Sequence, residues 1–390
     1  MSIYLDHNAG SPIRPEAAEA MLRALARPDG NPASVHRAGQ RARRALEHAR
    51  AQVADLVGAD PREIVFTSGG TESNNLAIYG ALKLAGSRRR VITSAIEHSS
   101  ILAPLAELER NGVEVVRIAP DRDGRISPPE VIAALDDSAA LVTLGLVNAE
   151  VGSILDLAPI AAAAARAGAM LHLDAAQAAG RIAIDVREPR CDLMTLSAHK
   201  LGGAAGAGAL FIRSGAAIAP AILGGPQEGA MRAGTPNLIG VAGFGAAAEA
   251  ASAMLNSDRA RIETLAAAML SQLFDAIPGL QLNGPRESRV ANTINLTFPR
   301  VLGESMLIAL DLEGVEVSMG SACAAGAVEP SHVLLAMGRG AAAARSSLRI
   351  SLGWSTTPEE IAAGSATIAR VWRRVSEAEP VSAAPMEALR

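Results

Sequence analysis

Two patterns of apolar and polar positions alternate along the first two thirds of the chain. Short apolar runs, rich in β-branched residues, occur at "EIVFTS" (63–68), "RVITS" (90–94), "VEVVRI" (113–118), "ALVTLGLVN" (140–148), "AMLHLD" (169–174), "CDLMTLS" (191–197) and "GALFIR" (208–213). They predict strands buried on both faces. Between most of them lie longer stretches with apolar positions every three or four residues, such as "GQRARRALEHARAQVADLVG" (39–58), "TESNNLAIYGALKLAG" (71–86), "ILAPLAELERNG" (101–112) and "LAPIAAAAARAG" (157–168). These predict helices, with Gly58 as a C-terminal stop. Strands that alternate with helices imply an α/β fold whose central sheet is mostly parallel and covered on both faces.

The rhythm changes near residue 256. A long helical period, "DRARIETLAAAMLSQLFDAI" (258–277), leads into "NTINLTF" (292–298), "GVEVS" (314–318) and "SLRISLG" (347–353), and a closing helical period follows at 357–378. We expect a large domain over 15–255, and a smaller α+β domain from 1–14 and 256–390 ending in a loose tail. The stretch "NLIGVAGFGAAAEAASAML" (237–255) is apolar enough to suggest a membrane span, but its apolarity is Ala and Gly, and Glu249 interrupts it. A helix packed inside the protein is the expectation.

Composition narrows the function. With 49% hydrophobic residues, 19% charged and a net charge of −4, the chain is globular, and it lacks the basic blocks or aromatic platforms that nucleic-acid binding uses. Its two cysteines cannot build a disulfide framework, and its start has neither a basic nor an apolar leader, so a reducing cytoplasmic setting is expected. The seven histidines are scattered without metal-binding spacing, and no metal site is expected.

Polar residues gather where strands should end, which is where α/β sheets place ligands. "FTSGGTESNN" (66–75) joins a strand to a helix through two glycines, and Gly70, Thr71 and the helix start could cradle a phosphate. A simple capped helix would look similar. Asp174 and Gln177 close "LHLDAAQ", Lys200 follows "LSAH", and His98 follows "SAIE". Taken singly, these read equally well as a helix cap, a solvated lysine and a structural histidine. Taken together, a phosphate cradle, an acid for a pyridine nitrogen, a lysine for an aldehyde and a flat imidazole are the parts that hold pyridoxal 5'-phosphate. One thiol is also oddly placed: Cys323 sits in "SMGSACAAGAVEPSH" (318–332) with no aliphatic neighbours to bury it. Cys191, just before a strand, reads as an inert, partly buried thiol.

The motifs "YLDHNAGSP", "NPASVHRAGQ", "FTSGGTESNN", "EHSS", "VNAEVGSI", "HLDAAQAAG", "LSAHKLGG", "RAGTPN", "GSACAAGAVEPSHVL" and "SSLRISLG" follow one another in this order over nearly the whole chain. In this the chain resembles the cysteine desulfurases, class V aminotransferase-like enzymes of the fold-type I pyridoxal-phosphate group. The resemblance implies that Lys200 holds the cofactor, Asp174 its ring nitrogen and Gln177 its ring hydroxyl. His98 would stack on the ring and move protons. Gly70, Thr71, Ser197 and His199 would bind phosphate, with Thr235 from the other subunit of a homodimer. Arg349 and Asn148 would clamp the carboxylate of L-cysteine. Cys323 would take the sulfur as a persulfide and pass it to an iron–sulfur scaffold or another acceptor, as in the long-loop subgroup. The chain departs from the family's usual residues at Gly10, Ser11, Ala204, Ala205, Gly229 and Met319. A selenocysteine lyase, a class V aminotransferase and a cofactor-free binding protein are the alternatives that residues alone leave open.

Overall fold

A computed structural model of the chain describes residues 2–26, 30–320 and 329–378. Its strands are β1 (Ile3–Tyr4), β2 (Ile64–Thr67), β3 (Arg90–Ser94), β4 (Glu114–Ile118), β5 (Ala139–Gly145), β6 (Met170–Asp174), β7 (Leu193–Ser197), β8 (Gly208–Ile212), β9 (Gln281–Asn283), β10 (Thr293–Thr297), β11 (Val315–Glu316) and β12 (Ser347–Ser351). Seven of them form one sheet in the order β2-β8-β7-β6-β5-β3-β4. Its pairs from β7 through β4 are parallel, while β8 runs antiparallel to both its neighbours. This is the expected mostly parallel α/β sheet. All seven apolar runs became its strands; six are largely buried, where an unbroken β-branched run is best placed, while the edge strand β4 leaves Glu114 and Arg117 exposed.

The smaller α+β part has a three-stranded antiparallel sheet, β12-β10-β9, and a parallel pair, β1-β11. Its core gathers Leu5 from the start of the chain with Ile294, Leu296, Met306, Leu348, Ile350, Ile368 and Trp372. The larger core joins Phe66, Leu144, Leu173, Leu196 and Phe211 of the big sheet to Val53 and Phe244 of the covering helices.

One expectation needs correction. The apolar stretch at 237–255 and the helical period at 258–277 are a single helix, Leu238–Ala276. No glycine cap or proline interrupts 255–258, so nothing stops the helix there. Its first half buries Val241, Phe244, Ala247, Ala248 and Ala251 in the larger core, and its second half buries Ile262, Leu265, Met269 and Leu273 in the smaller one. The helix is long and apolar enough to cross a membrane by composition, but both its halves are spent on protein packing.

A buried ion pair ties the edge of the large sheet together. Glu228 accepts two hydrogen bonds from the Arg50 guanidinium, at 2.7 and 2.8 Å, and a third from the Phe66 backbone N–H of β2 at 2.8 Å. Arg50 also lies over the Phe66 ring. Removing one partner of such a pair strands a buried charge. We expect Glu228→Ala to lower unfolding stability by about 3–5 kcal/mol, read as a fall in the denaturation midpoint. The neighbouring Gly229 has φ of +63°. That left-handed backbone suits glycine better than the arginine usual in the family, which gives this departure a local physical reason.

Candidate active site

The carboxyl ends of β2, β3, β5, β6 and β7 open onto one pocket of about 600 Å³, a size that suits a cofactor together with a small substrate. Ten of the residues singled out from sequence line it: Gly70, Thr71, His98, Asn148, Asp174, Gln177, Ser197, His199, Lys200 and Arg349. Thr235 is exposed and is not part of the lining formed by this chain. Cys323 lies outside the described residues. Cys191 is fully rather than partly buried, and burial pushes its thiol up to about 12, which keeps it protonated and unreactive.

The turn after β2 is shaped by close packing. Gly69 takes φ 155° and ψ −179°, a region essentially reserved for glycine. The β8 backbone packs close beside it, which requires glycine at Gly208, where a Cβ would come within 2.6 Å of Gly69 Cα. The helix Gly70–Leu84 starts there, its first turn facing the pocket with Gly70 and Thr71. Ser197 and His199, at the end of β7, hydrogen-bond to each other at 3.0 Å on the same wall.

Asp174 ends β6 and is held from two sides, by the Ala176 backbone N–H at 2.9 Å and by Asn74 Nδ2 at 2.8 Å. Asn74 also donates to the Ser100 hydroxyl, so the helices Gly70–Leu84 and Ser99–Arg110 both fix that carboxylate. His98 is the N-cap of the second of these helices. Its Nδ1 accepts the Ser100 N–H at 3.1 Å, which leaves the proton of the neutral ring on Nε2. Burial lowers the pKa of His98, and Asp174 works against that shift.

Lys200 donates to the backbone carbonyls of Asn8 and, at 2.8 Å, Ala9. Burial, reinforced by Arg181 and Arg349, lowers its pKa from 10.5 to about 8. Arg349 is buried on β12, where Nη2 meets Asp6 at 2.8 Å and Nη1 reaches the Ala149 carbonyl at 3.3 Å. Gln177 donates to the Asn8 carbonyl at 3.0 Å and accepts from Arg181. Asn148 caps its own loop, its Oδ1 taking the N–H groups of Glu150 and Val151.

Several residues that sequence reasoning left without a role belong to this pocket. Asn8 is a junction, Asp6 orients Arg349 and Asn74 orients Asp174; all three lie inside quoted motifs, which was their only signal. Glu97 is another. Its carboxyl sits between the Ser94 hydroxyl and the Gly145 N–H, and burial pushes it up to about 8, so the neutral acid prevails at pH 7. The Glu97 carbonyl accepts from His332 Nε2 at 3.0 Å, which fastens the segment after residue 328 to the pocket rim.

This donor set fits a pyridoxal phosphate. A fixed carboxylate, a lysine of lowered pKa, a glycine-lined helix start with hydroxyls beside it, and a buried arginine all open onto one space. Over residues 3–363 the sequence matches the aminotransferase class-V family. The chain belongs to that family. Among class-V relatives, cysteine desulfurase IscS of Dictyoglomus turgidum is 42% identical over 360 residues, which cover 92% of this chain and 91% of that one. A solved NifS-like protein superposes with a TM-score of 0.89 at 31% identity, covering 96% of this class-V chain and all of the other. A structure of SspA in complex with cysteine superposes with a TM-score of 0.80 at 32% identity, covering 90% and 99%.

Proposed function

We propose that this chain is a pyridoxal-phosphate-dependent cysteine desulfurase that converts L-cysteine to L-alanine and leaves the sulfur as a persulfide on Cys323. The observation that carries the reading is the meeting of Lys200, Asp174 and Arg349 on one pocket at the strand ends. When bound, the pyridoxal ring draws electrons from the substrate's α-carbon and so loosens the bond to sulfur.

The chain's own residues do the rest. Lys200 would hold the cofactor's aldehyde and serve as a proton carrier; its lowered pKa keeps a fraction of neutral amine available at physiological pH. Asp174, pinned by Asn74 and the Ala176 N–H, holds the ring-nitrogen proton. Gln177 would hold the ring hydroxyl, and His98 would stack on the ring and help move protons. Gly70, Thr71, Ser197 and His199 take the phosphate, and Thr235 of a second copy completes that subsite in a homodimer. Arg349, held in place by Asp6, takes the substrate carboxylate beside Asn148. The Cys323 thiolate attacks the substrate's sulfur and the C–S pair returns to carbon, which a proton then completes as alanine. The terminal sulfur goes on to a scaffold for iron–sulfur clusters or another acceptor in the cytoplasm.

Mass spectrometry of the protein after incubation with cysteine is expected to find one additional sulfur on the peptide carrying Cys323. An unmodified peptide, with alanine still formed, would sink the reading. Arg349→Lys keeps the charge but loses the planar fork, so KM for cysteine is expected to rise by roughly 10- to 100-fold with a smaller change in kcat, since a hydrogen bond to a charged group is worth about 1.5–3 kcal/mol. Steady-state kinetics with cysteine measure the split.

A further inference from the structure

Lys200 forms part of the wall of a second, smaller cavity of about 80 Å³. Its other walls include His7, Ser11, Arg14, Arg181 and Asn292, from the N-terminal segment, the turn after β6 and the approach to β10. None of the functional roles above uses this space.

Its charges do not balance. Arg181 donates only to the carbonyl and side-chain oxygens of Gln177, both neutral. Among the described residues its remaining N–H groups find no protein acceptor, and the half-buried side chain lines the cavity. One carboxylate faces the space, Asp258, and it is already shared between Arg14 at 3.4 Å and Arg261 at 3.0 Å. Arg259 turns away to Glu263, and Arg349 is met by Asp6. The guanidinium groups of Arg14 and Arg181 therefore face the cavity with a single lining acid, Asp258, which Arg261 outside the lining also draws on, and Lys200 adds positive charge whenever it is protonated. His7 adds none, since burial together with Arg181, Arg14 and Arg261 lowers it to about 3. The same crowding brings Arg181 down to about 9, burial acting first and Arg349 second. Buried charges are ordinarily paired.

We propose that this cavity binds one small monovalent anion, of halide or formate size, between Arg181 and Arg14, and that the anion raises the proton affinity of Lys200. Seating a water takes about 10–15 Å³ of such space, so a small anion with a few waters fits. A negative charge there opposes the lowering of Lys200 by Arg181 and Arg349. The site thus sets how readily the active-site lysine gives up its proton, from the side away from substrate.

Crystals of the cofactor-loaded protein grown in bromide are expected to give an anomalous bromine peak within hydrogen-bonding distance of Arg181. In solution, the pH midpoint of the bound cofactor's visible band should lie higher in chloride or formate than in gluconate at equal ionic strength, by about one unit. Gluconate is too large for the cavity, and an effect of formate without chloride would identify small carboxylates as the natural occupants. Arg181→Gln should erase the salt dependence and Arg181→Lys should keep it. If the Gln variant does not fold, the wild-type peak and midpoints decide alone. Midpoints that agree in all three salts overturn the proposal, as does water in place of bromine unless formate alone shifts the midpoint. Only the spectroscopic arm relies on the desulfurase reading; the bromine peak is independent of it.

Discussion

Replacing Lys200 by alanine is expected to leave the purified protein without visible cofactor absorbance and to cut sulfide release from cysteine by at least about 10³-fold, since the variant loses both the anchoring amine and a positioned proton carrier. Fold and stability should change little. Lys200 donates only to the Asn8 and Ala9 carbonyls, and the Asn8 carbonyl keeps its hydrogen bond from Gln177. The pH dependence follows from the same residue. A lysine lowered to about 8 is mostly protonated below that pH, and its neutral fraction falls tenfold for each unit of acidification. Cofactor uptake by the stripped protein should therefore speed up as pH rises toward 8 and level off above it. Unchanged absorbance in Lys200→Ala would remove the foundation of the proposed chemistry.

Cys323→Ser is expected to separate the two halves of the reaction. The variant should bind cofactor with an unaltered spectrum, since the lysine, the aspartate and the phosphate cradle are intact, and cysteine should still perturb that spectrum. Sulfide and persulfide formation should fall to background. A hydroxyl is far less readily ionised than a thiol and cannot capture sulfur at neutral pH. Undiminished amino transfer to a keto acid in this variant, with no sulfide released by the wild type, would instead favour the aminotransferase alternative. Cys191 offers no substitute nucleophile, because burial holds its thiol near 12.

The fold was legible because its strands are continuous apolar runs between amphipathic periods, and period alone separates the two. The long helix Leu238–Ala276 was harder to read, since Ala and Gly carry little periodic contrast and its buried stripe changes partner core midway. The strand-end residues of the site could be read as well: Asp174, Lys200 and His98 interrupt apolar sequence at positions where a polar side chain needs a reason. Asp6, Asn8, Asn74 and Glu97 could not be assigned roles in that way. Their work is to hold other side chains from distant parts of the chain, as Asp6 does Arg349 across 343 positions, and no local pattern records such a partnership. Arg181 likewise looks like an ordinary basic residue until its lack of an acid is seen in three dimensions.

The pairing of Ile3 with Val315, and the grip of the Asn8 and Ala9 carbonyls on Lys200, have a consequence for how the enzyme is made. The scaffold that seats residues 3–9 beside Lys200 includes β12, which lies well downstream of that lysine in the chain. A nascent chain stalled before residue 351 would carry the lysine without its finished surroundings. Coenzyme capture is thus expected to wait until β12 has been made and has seated the N-terminal segment beside Lys200.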